Sequence, residues 1–170
     1  MQKSKLSLNT AKEEDAQFIY KMMQDKEYQK HYLERLIFKS AEEAQKDIKQ
    51  SMRDAKRRLR YYFVVMNGKE KIGILDIYKI SKLDQKASIG YGIKKEYWGK
   101  GIGSEVCKIG LDFMKNKLKL HSAEATADPN NTASQKVLEK NGFKKIATVK
   151  DYYFDRGKFI DRDLYWKVLE

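Results

Sequence analysis

Residues that staple or interrupt a fold are scarce in this chain. It has one cysteine, Cys107, so no intrachain disulfide is available; that fits a reducing compartment and excludes a small disulfide scaffold. One proline and ten glycines among 170 residues argue against long disordered linkers. The two histidines, His31 and His121, stand in no metal-ligand spacing, so no metal is expected. No run approaches the roughly 20 apolar residues that cross a bilayer. The opening MQKSKLSLNTAKEED lacks the apolar block of a signal peptide, so a cytoplasmic protein without membrane association is expected.

What is present supports one core. Hydrophobic residues make up 41% and aromatics 12%, enough for a single domain over 1–170. The net charge is +12, from 36 Lys+Arg against 24 Asp+Glu, a field that attracts anions. A lysine-rich solvated surface gives the same balance. The cluster Arg53, Lys56, Arg57, Arg58, Arg60, followed by Tyr61 and Tyr62, offers phosphate contacts and stacking platforms. It contains no base-reading motif, so nucleic acid is not expected as a partner and a nucleic-acid-binding module stays an alternative.

Periodicity divides the chain into alternating elements. Residues 5–10 alternate as a strand. Thr10 with Glu13 has the form of a capping box, predicting a helix from about Ala11 through Ala16, Ile19, Tyr20 and Met23. The stretch 25–39 reads as a short helix plus loop. Ser40 with Glu43 is a second capping box, and Ala44, Ile48, Met52, Ala55 and Leu59 place an amphipathic helix over 41–58. Strands follow at 61–66, 71–80 and 86–94, the first two joined at Asn67-Gly68, a hairpin signal. A glycine-rich loop at 99–105 leads into a helix to about Lys117. A strand at 119–127 precedes a helix beginning at Asn131 and ending at Asn141-Gly142. Strands at about 143–154 and 158–168 close the chain around Asp155-Arg156-Gly157. Strand, helix, strand in the middle predicts a parallel pair, 86–94 beside 119–127, with antiparallel strands on both sides.

The segment 87–105, ASIGYGIKKEYWGKGIGSE, carries the chemistry. Ala87, Ile89, Tyr91 and Ile93 share one strand face; Ser88, Gly90 and Gly92 share the other, which is nearly bare and so admits a backbone or an extended ligand at close range. Gly99, Gly101 and Gly103 then permit positive φ and aim amides inward just before a helix start. Unpaired N–H groups and the helix dipole make that start a site for phosphate or pyrophosphate, to which Lys100 and Ser104 add a charge and a hydroxyl. The spacing departs from a Walker loop, because Gly101 follows Gly99-Lys100 where Gly-Lys-Ser/Thr is required. It also departs from the dinucleotide fingerprint, which needs Gly-x-Gly-x-x-Gly after the first strand of a parallel sheet.

YWGKGIGSE, followed by DPNNTASQKVLEKNGF at 128–143, resembles the GNAT N-acetyltransferases, and within them the RimJ/RimL-like branch that includes N-terminal acetyltransferases of ribosomal proteins. The resemblance extends over nearly the whole chain. It implies an α/β (α+β) GNAT fold: a mixed central sheet of about seven strands, about four helices, and a splayed central parallel pair that admits acetyl-CoA. It implies that Gly99, Lys100, Gly101, Ile102, Gly103 and Ser104 hold the pyrophosphate. Backbone around Gly92, Ile93 and Lys94 would pair with pantetheine, Asn131 would bind the cofactor arm, and Ser134 would lie near the thioester sulfur. Trp98 stands where many relatives carry Arg or Gln, so that contact is lost, and Lys94, Lys95 and Lys100 are the candidates to replace its charge. A homodimer through the C-terminal strands follows by the same analogy.

The implied reaction is direct attack of a neutral amine on the acetyl-CoA thioester, with a protein N-terminus or a small molecule as acceptor. A backbone N–H near Ile93 would receive the developing negative charge. Glu124, then Asp76, are the candidate proton acceptors, and Ser134 the hydroxyl for the departing thiolate. Cys107, inside a helix without a histidine partner, reads as a buried thiol. Tyr61, Tyr62, Tyr152, Tyr153, Tyr165 and Trp166 divide between core and acceptor pocket. A catalytically inactive CoA-binding protein is the remaining alternative.

Overall fold

The computed structural model describes residues 6–169. Its elements are β1 (Leu6–Thr10), α1 (Ala16–Met23), α2 (Lys26–Gln29), α3 (Ala41–Lys56), β2 (Tyr61–Asn67), β3 (Glu70–Ser81), β4 (Lys86–Ile93), α4 (Ile102–Asn116), β5 (Ser122–Ala127), α5 (Thr132–Lys140), β6 (Lys144–Asp155) and β7 (Lys158–Val168). The strands form one seven-stranded sheet in the order β1-β2-β3-β4-β5-β7-β6. Among the described residues, only β4 and β5 run parallel. The mixed sheet with its central parallel pair is the architecture expected from the sequence.

Five α-helices are present among the described residues; the four-residue α2 is the short helix expected within 25–39, where Asp25 accepts from the Glu27 and Tyr28 amides at 2.8 and 3.0 Å. Two local expectations are corrected. The Thr10–Glu13 capping box does not form: Thr10 is held in β1 opposite Phe63. The Asp15 carboxylate instead accepts from the Lys12 amide at 2.8 Å, a 3-10 turn covers Glu13–Asp15, and α1 starts at Ala16. Helix α3 ends at Lys56, two residues early, where Arg58 takes φ +58°. Its start is as read: Ser40 Oγ accepts from the Glu43 amide at 3.3 Å, while Glu43 accepts from the Lys39 amide at 2.8 Å.

The alternation of β2, β3 and β4 divides two cores. On one face Phe63, Val65, Leu75, Ile77, Ala87 and Ile89 pack against Val106, Leu111 and Met114 of α4. On the other, Tyr62, Val64 and Ile74 meet Ile19, Ala44 and Ile48 of α1 and α3. Burying each large aliphatic side chain contributes about 1.5–3 kcal/mol. With both faces covered, β4 is fixed through β3, and the part of its other edge beyond Ser88 is left to serve the site.

Candidate active site

Strands β4 and β5 pair at Lys86↔Ser122, Ala87↔Ala123 and Ser88↔Glu124, and there the ladder ends among the described residues. Beyond it, β4 stays on β3 as far as Ile93, opposite Gly73, and β5 stays on β7 as far as Ala127, opposite Asp163. Each strand is held from its outer side, so the inner edges diverge into a V. Backbone groups along residues 89–93 and 125–127 that would complete a ladder face this gap. Buried backbone groups need partners, so the gap suits an extended ligand rich in amides.

At the mouth of the V, Gly99 (φ +74°) and Gly101 (φ +78°) turn the chain into α4. An added Cβ at either glycine would meet open space; the backbone angle, not crowding, requires glycine here. Gly101 caps α4 with no side-chain hydrogen bond among the described residues. The first-turn amides of Ile102, Gly103 and Ser104 therefore remain for an anion. The groove thus joins a strand edge to an anion-binding helix start.

Of the side chains expected to add charge here, Lys94 and Lys100 are engaged. Lys94 Nζ lies 3.3 Å from Glu70 and 3.2 Å from Glu96, and its amide donates to Ile72 O at 2.9 Å. That bond places the Lys94 amide in the β3–β4 pairing. Lys100 Nζ donates to Glu96 O at 2.8 Å and lies over the Tyr97 ring. Trp98 does more than omit a cation: its indole N–H donates to Ile93 O at 2.7 Å, tying the glycine turn to the end of β4. Ser104 O and Oγ each accept from Asn141 Nδ2 at 3.0 Å, joining the start of α4 to the end of α5.

Across the V, Asn131 Oδ1 accepts from the Ser134 amide at 3.0 Å and caps α5. Ser134 Oγ lies 3.4 Å from the Tyr91 hydroxyl, whose pKa burial raises well above the ordinary value. Tyr91 was read from sequence only as part of the apolar strand face; its reach to α5 depends on the divergence of β4 and β5. Glu124 sits at the last paired position and accepts from Lys86 Nζ at 2.9 Å. Asp76 receives three hydrogen bonds from Arg60 at 2.8–3.1 Å, and Arg60 also donates to both Asp47 oxygens at 2.8 and 3.0 Å. Burial opposes the Arg60 charge, but the two carboxylates outweigh it and raise its pKa. Glu124 and Asp76 are thus both ion-paired. Cys107 is buried, and desolvation pushes its thiol up to about 12, so it is no nucleophile.

The bare face of β4 is not open as expected. The Tyr28 hydroxyl fills the place of a Cβ on Gly92, and the Tyr78 ring would lie 3.6 Å from one on Gly90. Glycine at 92 admits a tyrosine from α2, and ligand space lies along the strand edge instead. The Tyr28 hydroxyl is buried without a hydrogen-bond partner among the described residues. Desolvation raises its pKa, so it stays protonated.

A cavity of about 790 Å³ is lined by parts of 26–32, 128–130 and 155–162. Side-chain bonds between distant segments close its walls. His31 Nδ1 lies 3.2 Å from Asp128, the Glu34 amide donates to Asp155 at 2.8 Å, and Arg156 donates to Gln29 O and Tyr32 O at 3.2 and 3.1 Å. Of the aromatics divided between core and pocket, Tyr62 and Tyr165 are buried, while Tyr153 lies between Arg35 and Arg162. Among the described residues, no group of three or more His, Cys, Asp or Glu could hold a metal ion, and no helix is long and apolar enough to cross a membrane.

Residues 5–144 match the family model described as acetyltransferase (GNAT) domain. The protein named uncharacterized N-acetyltransferase YoaA of Bacillus subtilis (strain 168) is 27% identical over 168 residues, covering 97% of this chain and 94% of that one. Several other curated relatives are matched over only about half of their own length, from 49% to 57%. A ribosomal-protein-S5-alanine acetyltransferase from Vibrio fischeri superposes with TM-score 0.88 at 25% identity, covering 100% of this chain and 96% of that one. A spermidine N-acetyltransferase from Vibrio cholerae, in complex with CoA and spermine, shares the fold with TM-score 0.85 at 20% identity, covering 97% and 96% of the two chains.

Proposed function

The chain belongs to the GNAT acetyltransferase family, and from that premise we propose that it transfers the acetyl group of acetyl-CoA to a primary amine flanked by negative charge, such as the first residue of an acidic peptide. The observation that carries the reading is the continuity of the open β4 edge with the glycine turn and the uncapped start of α4. An amide-rich arm ending in a pyrophosphate matches both halves of that groove. When bound, acetyl-CoA supplies an acetyl thioester activated toward amines.

In this reading the Ile93 amide, on the strand edge between Gly92 and Lys94, faces the pantetheine arm, and the turn from Gly99 to Ser104 binds the pyrophosphate through its amides. Trp98 fixes that turn by its bond to Ile93 O rather than touching phosphate. Asn131 sets the pitch of α5, and the Ser134–Tyr91 hydroxyl pair stands where a leaving thiolate gains a proton. Holding two reactants in line accounts for most of the rate in such a site.

The acceptor preference comes from the cavity. Five cationic side chains line it, Lys26, Lys30, Arg156, Lys158 and Arg162, against three carboxylates, Asp128, Asp155 and Asp161. All three carboxylates already accept hydrogen bonds within the protein. A polyamine is repelled by such a wall and an acidic segment attracted. The test is a thermal-shift titration with acetyl-CoA, ATP and NAD, followed by thiol-release assays on Ser-Asp-Glu, Ser-Lys-Lys and spermidine. A saturable shift with acetyl-CoA alone, with fastest turnover of Ser-Asp-Glu, is expected. Absence of a shift at saturating acetyl-CoA overturns the cofactor reading; preference for spermidine overturns the acceptor reading.

A further inference from the structure

We infer that His31, held by Asp128, is the proton acceptor for the attacking amine; this rests on the acetyltransferase reading above. The segment from Tyr28 to His31 touches both arms of the V. Tyr28 lies against Gly92 near the end of β4, and His31 reaches Asp128, the residue that directly follows β5. His31 and Asp128 line the cavity, and from Asp128 the chain runs through the Asn131 cap to Ser134 and Tyr91.

Chemistry separates His31 from the carboxylates. A proton placed on Glu124 leaves Lys86 unpaired, and one placed on Asp76 disrupts the half-buried Arg60 cluster. A proton placed on His31 creates an imidazolium beside a carboxylate. Burial works against the Asp128 charge, but the Asn130 amide and His31 outweigh it and hold its pKa below the ordinary carboxylate value. Asp128 therefore accepts from Nδ1–H, a tautomer assigned here from its partner, and leaves the Nε2 lone pair free to take a proton. Its own place is fixed: Oδ1 accepts from the Asn130 amide at 2.9 Å, and its carbonyl accepts from the Asn131 amide at 2.9 Å.

The charged groups around the ring come from three further elements. Helix α2 and the residue after it bring Lys26 and Lys30, the latter paired with Glu27 at 2.7 Å. The strand ends flanking the β6–β7 turn bring Asp155, bonded to Arg156 at 2.7 Å, and Lys158. Strand β7 brings Asp161, paired with Lys150 at 2.7 Å, and the buried Arg162. Asp128 is the carboxylate in contact with the imidazole.

The step balances. The amine nitrogen bonds to the thioester carbonyl carbon and gives one proton to Nε2 of His31. The carbon–sulfur bond breaks, and the sulfur takes a proton from the Ser134–Tyr91 pair. Water then removes the proton from His31 and restores the hydroxyl proton.

The experiment pairs kinetics with nitrogen-15 NMR of the imidazoles, which is simple because the chain has two histidines. Wild type, His31→Gln and Asp128→Asn are compared with CoA bound, and thiol release is followed against pH using Ser-Asp-Glu and spermidine as acceptors. The inference expects the Nδ1–H tautomer at His31, lost in Asp128→Asn. For His31→Gln it expects kcat reduced about 100-fold or more, no acid limb in the pH profile, and an unchanged KM for acetyl-CoA. Turnover within a few-fold of wild type with the acid limb intact overturns it, as does an Nε2–H tautomer in wild type. Should neither acceptor be turned over, the tautomer result decides. Failure of wild type to bind CoA refutes the acetyltransferase reading instead, so the two failures are distinguishable.

Discussion

The two sides of the V are built by different means. The cofactor side, from β4 through the glycine turn to α4 and α5, presents backbone: an unpaired strand edge, two left-handed glycines and uncapped helix amides. The acceptor side is held by side chains that reach segments far apart in sequence, as in His31 with Asp128 and the Asp155 carboxylate with the Glu34 amide. Backbone sites depend on a few short-range angles and tolerate varied side chains. Side-chain sites depend on each partner, so the acceptor side can change specificity while the cofactor side stays constant.

The largest break between the sides is expected from Arg60→Met. It leaves Asp47 and Asp76 without their cation beneath the acceptor face and costs about 3–5 kcal/mol, read by urea unfolding. The folded fraction retains acetyl-CoA affinity, because the cofactor side is untouched. Gly101→Glu is its converse. Its left-handed φ costs about 1–2 kcal/mol of stability. The added carboxylate faces the anion site and weakens acetyl-CoA binding about 100-fold, read by calorimetric titration.

Tyr28→Phe is smaller and opposite in sign. Removing a buried hydroxyl without a partner raises stability by about 1 kcal/mol, read by the unfolding midpoint. The least effect concerns acid. Because the Asp128 pKa is lowered on folding, its stabilisation is present above the unfolded value near 3.9 and lost as pH falls through the folded value. Between pH 5 and pH 3 wild type therefore loses more melting temperature than Asp128→Asn, read by scanning calorimetry.

This division explains what the sequence disclosed. The glycine turn at Gly99 and Gly101 and the helix start at Asn131 were legible because turns and caps leave fixed local spacings. The Asn67-Gly68 hairpin and the parallel pair were legible for the same reason. Thr10–Glu13 misled because strand pairing took Thr10 before it could cap. The exchange of Tyr28 for a Cβ on Gly92 was hidden, since no local pattern in α2 indicates which strand it will meet. The spending of the Lys94 amide on Ile72 likewise followed from tertiary register. His31 gave no signal at all, because its partner lies 97 residues away.

Hydrogen exchange with and without acetyl-CoA tests the central claim, that backbone at the V and the start of α4 holds the cofactor. The account predicts added protection confined to residues 89–93, 125–127 and 102–104, with none along β6. Protection absent from those amides, or equal along β6, would contradict it.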